Sequence, residues 1–224
     1  MPTSDPHNIS PIMAIIQQLA PKSVLDVGCG FGKYGVLLRE YLDVWHKRYD
    51  RAQWEARIVG VEAFEGYRND LWSAVYDQVH VADIRDVLPS LGRFDVALVA
   101  DVIEHFELPT ARQLVDNLLA VCDHVVISTP SDFYPQADEF GNEYERHRCH
   151  WTARQAPSGK CLARVPALAC DIFVISNTAI HWEATYTADL RNVLYLRSRR
   201  RLRFAGQLLM PVSYTLRVMS RLLS

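Results

Sequence analysis

The chain has 224 residues, 49% of them apolar and 22% charged, and 26 acids against 24 bases leave a formal charge of −2. This is the composition of a soluble globular protein with room for one complete core. Five cysteines, at 29, 122, 149, 161 and 170, are odd in number and lack C-x-x-C pairs, which excludes a disulfide framework and suggests a reducing compartment. No run approaches the length of about 18 apolar residues that a membrane span requires, and the polar N-terminus lacks the charged-then-apolar order of a signal segment. The expected location is therefore cytoplasmic. Asn8-Ile9-Ser10 matches a glycosylation sequon, but in that setting Ser10 reads as a helix N-cap with Pro11 at the first helical position, and the helix is predicted to reach Leu19.

Residues 24–35 read Val-Leu-Asp-Val-Gly-Cys-Gly-Phe-Gly-Lys-Tyr-Gly. Val24, Leu25 and Val27 suit a buried strand, Gly28, Gly30 and Gly32 follow at every second position, and a helix begins near Tyr34 and runs to about His46. A strand, a glycine turn and a helix make a nucleotide-binding corner: glycine lets a ligand approach the backbone, and the helix aims its N–H groups at it. Gly30 to Gly35 also satisfies G-x-G-x-x-G, the dinucleotide pattern. Asp26 argues against that reading, because a carboxylate just ahead of the glycines would repel a pyrophosphate and suits an ammonium or a sulfonium. Further apolar strands are predicted at Arg57–Glu62, Val79–Asp83, Phe94–Ala100, His124–Ser128 and Asp171–Ser176. Regularity is lost between Ser131 and Leu168, a stretch expected to lie over a substrate. Either Cys161–Val165 or Ala179–Thr185 pairs with the last strand.

The ordered set Asp26-x-Gly28-x-Gly30-x-Gly32, Glu62, Asp83-Ile84 and Asp101 resembles the motifs of the class I S-adenosylmethionine-dependent methyltransferases over residues 10–151. The resemblance implies an α/β, Rossmann-like fold with a mostly parallel seven-stranded sheet and helices on both faces. It implies S-adenosylmethionine as cofactor, held by Asp26, Gly28, Gly30, Gly32, Glu62, Asp83, Ile84 and Asp101. Within that set Glu62 would accept from the ribose hydroxyls, while Asp83 and Ile84 would meet the adenine amine and ring face. The N-terminal helix would lid the cofactor side.

Two clusters carry candidate acceptor chemistry. Asp101, Glu104 and His105 stand at i, i+3 and i+4, so a helix after the fourth strand would present all three on one face. The second cluster, Asn142 to Thr152, contains His147 four residues before Trp151-Thr152. The pair of clusters resembles small-RNA 2′-O-methyltransferases, in which Glu-x-x-Glu-His and such a histidine bind a divalent metal. The histidine-to-Trp-Thr spacing is also similar to that of bacterial methyltransferases of surface-polysaccharide and glycolipid assembly. Asp101 replaces the first Glu and shortens its reach. His105, Glu104 and His147 are thus the catalytic candidates, as a metal-free base, as ligands of a divalent metal, or in structural roles. His150 with Cys149 and Cys161 is too irregularly spaced for zinc.

Residues 1–185 read as the methyltransferase domain and 186–224 as a basic tail. Tyr186 to Ser224 holds eight arginines and one acid, Asp189, a net of +7 that leaves −9 on the rest. Ala205, Leu208, Leu209, Val212, Leu216, Met219 and Leu223 fall within an arc of about 100° opposite Arg203, Arg217 and Arg221, broken by Pro211. The tail either packs on the core or lies on an anionic membrane, which would place the protein at its inner face. Sparse aromatics argue against nucleic acid. The expected activity is methyl transfer to a hydroxyl of a saccharide or lipid-linked small molecule. RNA 2′-O-methylation and a non-catalytic cofactor-binding scaffold are the alternatives.

Overall fold

The computed structural model describes residues 3–167 and 169–180. Seven strands form one sheet: β1 (Ser23–Val27), β2 (Arg57–Glu62), β3 (Gln78–Val81), β4 (Phe94–Ala100), β5 (Cys122–Pro130), β6 (Cys161–Pro166) and β7 (Cys170–Ser176), in the order β3-β2-β1-β4-β5-β7-β6. The first five strands pair in parallel, and β7 runs antiparallel to both β5 and β6. The chain moves outward from β1 to β3 and then returns to β4 beside β1. That reversal is the point where open α/β sheets leave a crevice at their carboxyl ends.

Among the described residues, five α-helices, α1 (Ile9–Leu19), α2 (Lys33–Leu42), α3 (Asp70–Val75), α4 (Ile84–Val87) and α5 (Leu108–Val121), cover the two faces. Strand residues alternate between two cores. Val24, Val96 and Leu98 pack with Ile12, Ile16 and Leu38 of α1 and α2, while Leu25, Val27, Ala97 and Val99 pack with Leu114, Val115 and Leu118 of α5. The strands are apolar on both sides because both sides are covered, as parallel sheets require. The expected fold class is the one observed.

Several boundaries differ from the sequence reading. The N-cap logic assigned to Ser10 and Pro11 operates five residues earlier, where Asp5 accepts from the His7 N–H at 2.8 Å and Pro6 opens a 3-10 turn (Pro6–Asn8). α1 continues from Ile9, so Ser10 and Pro11 lie inside its first turn, and Asn8 is fully buried. α2 stops at Leu42 rather than near His46 because buried Asp43 turns back onto Arg39, Arg48 and the N–H of Glu55. β3 ends at Val81, and Asp83 lies beyond it as the N-cap of α4, accepting from the Arg85 N–H at 2.9 Å. Of the two candidate partners for β7, the structure has β6. The domain boundary at 185 and the basic tail lie outside the described residues.

Candidate active site

A cavity of about 570 Å³ opens at the carboxyl ends of β1, β2 and β4, within the range of about 300–1,000 Å³ usual for small-molecule sites. One half is the glycine corner. Gly28 has φ +69, and a Cβ there would stand 2.5 Å from Val102 Cγ2, so glycine is required both by the left-handed backbone and by the close approach. Gly30, at φ +53, meets nothing within 4 Å of its built Cβ position and lies on the cavity wall, leaving steric room above its backbone for a ligand. Glu62, at the end of β2, accepts from the N–H groups of Gly30 and Phe64, each at 2.9 Å. Burial pushes its carboxyl up, against the pull of those two donors. Asp83 and Ile84 also line the wall, and Arg85 binds both oxygens of Asp83, holding its carboxyl below the usual range.

Two residues of the expected cofactor set are not on the wall. Gly32 caps α2 behind Phe31 and Lys33. Asp26 alternates with Leu25 and Val27 along β1 and therefore points into the α1–α2 core, where the Tyr76 hydroxyl donates to it at 2.6 Å. Burial raises Asp26 to about 7; the Tyr76 hydrogen bond opposes the shift and the charge of Glu62 adds to it. It lies beneath the corner, off the cavity wall.

The acceptor half departs further from the reading. The residues that directly follow β4 do not form an α-helix; α5 begins only at Leu108. Asp101 has φ +54, and Ile103–His105 is a 3-10 turn, so Asp101, Glu104 and His105 do not share a helical face. Asp101 lines the cavity, but its carboxylate accepts from the Asp5 N–H at 3.0 Å and the Ser128 hydroxyl at 2.7 Å. What gathers instead is Glu104, His105 and His147, with one ligating atom from each lying within 4.8 Å of the others. The loop after β5 delivers His147. The N–H groups of Arg148 and Cys149 donate to the Glu104 carbonyl at 2.8 and 3.1 Å, stitching that loop to the 3-10 turn. Trp151, 1% exposed, is sunk into the α5-side core, and Thr152 caps the next turn in a capping box with Gln155. The Trp-Thr pair is thus the anchor that fixes His147 four residues earlier.

The histidine tautomers follow from their partners. His105 Nδ1 faces the Arg146 carbonyl at 3.3 Å, and His147 Nδ1 faces the Tyr134 carbonyl at 3.0 Å. A carbonyl only accepts, so Nδ1 is the donor in each of these two contacts. Burial depresses His105 to about 4, partly offset by the Arg146 carbonyl, and the neighbouring His147 adds to the depression. Glu104 is 3% exposed with no hydrogen-bond partner on Oε2, and burial, reinforced by Asp101, holds its carboxyl well above the usual range. Two imidazoles and a carboxyl group gathered in this way suit a base or a divalent cation.

The sequence reading missed several members of this site. Tyr67 donates to Glu145 at 2.9 Å and accepts from Asn142 at 3.1 Å, clasping the acceptor loop to the segment after β2. Phe64, Tyr67 and Trp72 form an aromatic stretch in the sequence and the 142–152 cluster was a visible signal, but nothing local pointed to Tyr76. The implied S-adenosylmethionine fits the glycine half on two observations, the steric room above Gly30 and the carboxyl groups of Glu62 and Asp83 on its wall.

A family described as "methyltransferase domain" matches residues 7–167. A search of curated proteins found no match. Among solved structures, the methyltransferase domain of bacterial CtHen1-CN is 18% identical at a TM-score of 0.50, covering 76% of this chain and 97% of that one. The N-terminal domain of EvdMO1, crystallised with SAH and D-fucose, is 15% identical at 0.53, covering 79% and 85%. An O-methyltransferase family protein from Burkholderia thailandensis is 12% identical at 0.54, covering 77% and 57%. At such identities the likeness is one of fold. With the family match running over most of the chain and the glycine corner, strand ends and sheet order in agreement, the chain belongs to the methyltransferase-domain family and is an S-adenosylmethionine-dependent methyltransferase of class I.

Proposed function

We propose that this methyltransferase acts on a hydroxyl group of a saccharide or lipid-linked small molecule at the cytoplasmic side of the cell. The observation that carries this reading is the gathering of Glu104, His105 and His147 on the cavity wall, with Nδ1 of each histidine facing a backbone carbonyl. S-adenosylmethionine, when bound, supplies an electrophilic methyl group. Gly28, Gly30, Glu62, Asp83 and Ile84 hold it in the glycine half. A hydroxyl is a weak nucleophile until it loses its proton, so the remaining work is deprotonation at the acceptor oxygen as its bond to the methyl carbon would form and the donor's methyl C–S bond would break, its electron pair staying on the sulfur of the departing S-adenosylhomocysteine. A histidine Nε2 takes that proton.

A second reading, favoured by the buried, unpartnered Oε2 of Glu104, has the three side chains bind a divalent metal that polarises the hydroxyl. RNA is disfavoured by charge: eight carboxylates line the cavity against Lys33, Arg85 and Arg148, and they repel a phosphodiester backbone. Membrane association belongs to the +7 tail and is tested by sedimentation with anionic and neutral vesicles.

The deciding experiment incubates the full chain with methyl-labelled donor and a panel of saccharides, glycolipids, quinones and RNA, with chelator and then with added magnesium or manganese. Label in saccharide or glycolipid hydroxyls is the expected result. Label confined to RNA or quinones overturns the acceptor class, and chelator-resistant turnover removes the metal.

A further inference from the structure

Asp101 is the strand-end acid that motif comparison groups with donor or metal ligands, yet its carboxylate is turned toward the N-terminal segment. Oδ2 accepts from the Asp5 N–H at 3.0 Å, Oδ1 accepts from Ser128 Oγ at 2.7 Å, and the Asn8 amide lies 3.4 Å from both oxygens. Its backbone is left-handed at φ +54, a conformation uncommon outside glycine that persists where several partners over-determine it. A second tether runs from the glycine corner, where Lys33 Nζ donates to Thr3 Oγ1 at 2.9 Å and to the Ser4 carbonyl at 2.7 Å. Thr3, Ser4 and Asp5 are part of the cavity wall beside Gly28, Gly30 and Tyr34. Residues 3–5 belong to no helix or strand, so these side chains, not a backbone ladder, hold the segment in place.

We propose that Thr3–Asn8 is a strap across the donor half of the cavity and that Asp101 is the positioning residue that latches it, with Lys33 as the second tether. The proposal rests on the assignment of the donor to the glycine corner. It gives Asp101 a role in admitting and retaining the donor rather than in ligating it or a metal. Release of the latch opens the wall at Thr3–Asp5, and its engagement keeps water out during transfer.

The test is amide hydrogen exchange and calorimetry with S-adenosylhomocysteine on the full chain. Asp101→Gly removes the latch and also the left-handed strain, so the fold is retained. Lys33→Met cuts the second tether and leaves Asp101 in place. Both variants are expected to exchange the Asp5 amide about tenfold faster or more and to bind S-adenosylhomocysteine about tenfold more weakly, the equivalent of about 1.4 kcal/mol. Asp101→Asn keeps an accepting oxygen and a residue type tolerant of this backbone, and is expected to restore most of both. Unchanged exchange over residues 3–8 in Asp101→Gly overturns the latch. So does loss of manganese binding in that variant with the strap still protected, which returns Asp101 to the metal. If the wild type fails to bind S-adenosylhomocysteine, the donor assignment falls, and the exchange of the free proteins still decides the latch.

Discussion

The two halves of the cavity are built by different means. In the donor half each functional group sits at the end of a parallel strand or within a few residues of it, and backbone donors fix its position, as Gly30 and Phe64 fix Glu62. In the acceptor half the key contact joins two separate segments, the turn at Ile103–His105 and the loop carrying His147, through the Glu104 carbonyl and the anchor at Trp151. A strand-end site inherits the rigidity of the sheet. A loop-built site depends on docking, which makes it both adjustable and fragile. This division explains how one donor corner can serve methyltransferases with many acceptors.

The largest expected effect tests whether the halves are separable. His105→Ala and His147→Ala should each lower turnover by about 10² to 10⁴, the usual worth of a general base, while calorimetry finds S-adenosylhomocysteine affinity unchanged. Weakened donor binding in either variant would erase the division. Next, Trp151→Ala should cost about 3–5 kcal/mol in urea unfolding, since a fully buried indole leaves a large cavity, and the surviving folded protein should lose turnover more than donor affinity. Wild-type turnover in that variant would mean that His147 is placed by something other than the anchor. Smaller again is Glu62→Gln, which presents an N–H₂ to a backbone N–H. A loss of about 1.5–3 kcal/mol in donor affinity is expected, with the histidines' role untouched.

The smallest effects are in pH and differ in sign between the halves. Asp26 is raised to about 7, so its contribution to stability is full below the unfolded value of 3.8 and is lost as pH rises through 7. The melting temperature of the ligand-free protein should therefore fall between about pH 4 and 7 and level off above, and Asp26→Asn, which can still accept from Tyr76, should flatten that fall. An identical slope in the variant would remove Asp26 as its cause. His105 is depressed to about 4, so its contribution is present above 6.5 and lost as pH falls toward 4. If His105 is the base, the acid limb of the turnover profile lies near 4, and a limb at 6.5 would assign the proton to a different group.

The sheet, the glycine corner and the order of acidic strand ends were legible in the sequence because each is local. A buried parallel strand reads as an apolar run, a left-handed turn as glycine, and a strand-end acid falls next to its strand. Arg57–Glu62 and Phe94–Ala100 were predicted to the residue for this reason. Sequence spacing also singled out Glu104 and His105, though for a helical face that does not exist, and the resemblance singled out His147 by its spacing to Trp151-Thr152. Only the tertiary structure decided where each side chain points. Asp26 faces the core because strand alternation sends it to the side of Tyr76. Asp101 faces the N-terminal segment because the chain turns left-handed there instead of entering a helix. His147 meets His105 because two backbone N–H groups of a distant loop satisfy one carbonyl oxygen, a pairing of groups that every residue carries and that no sequence pattern can single out.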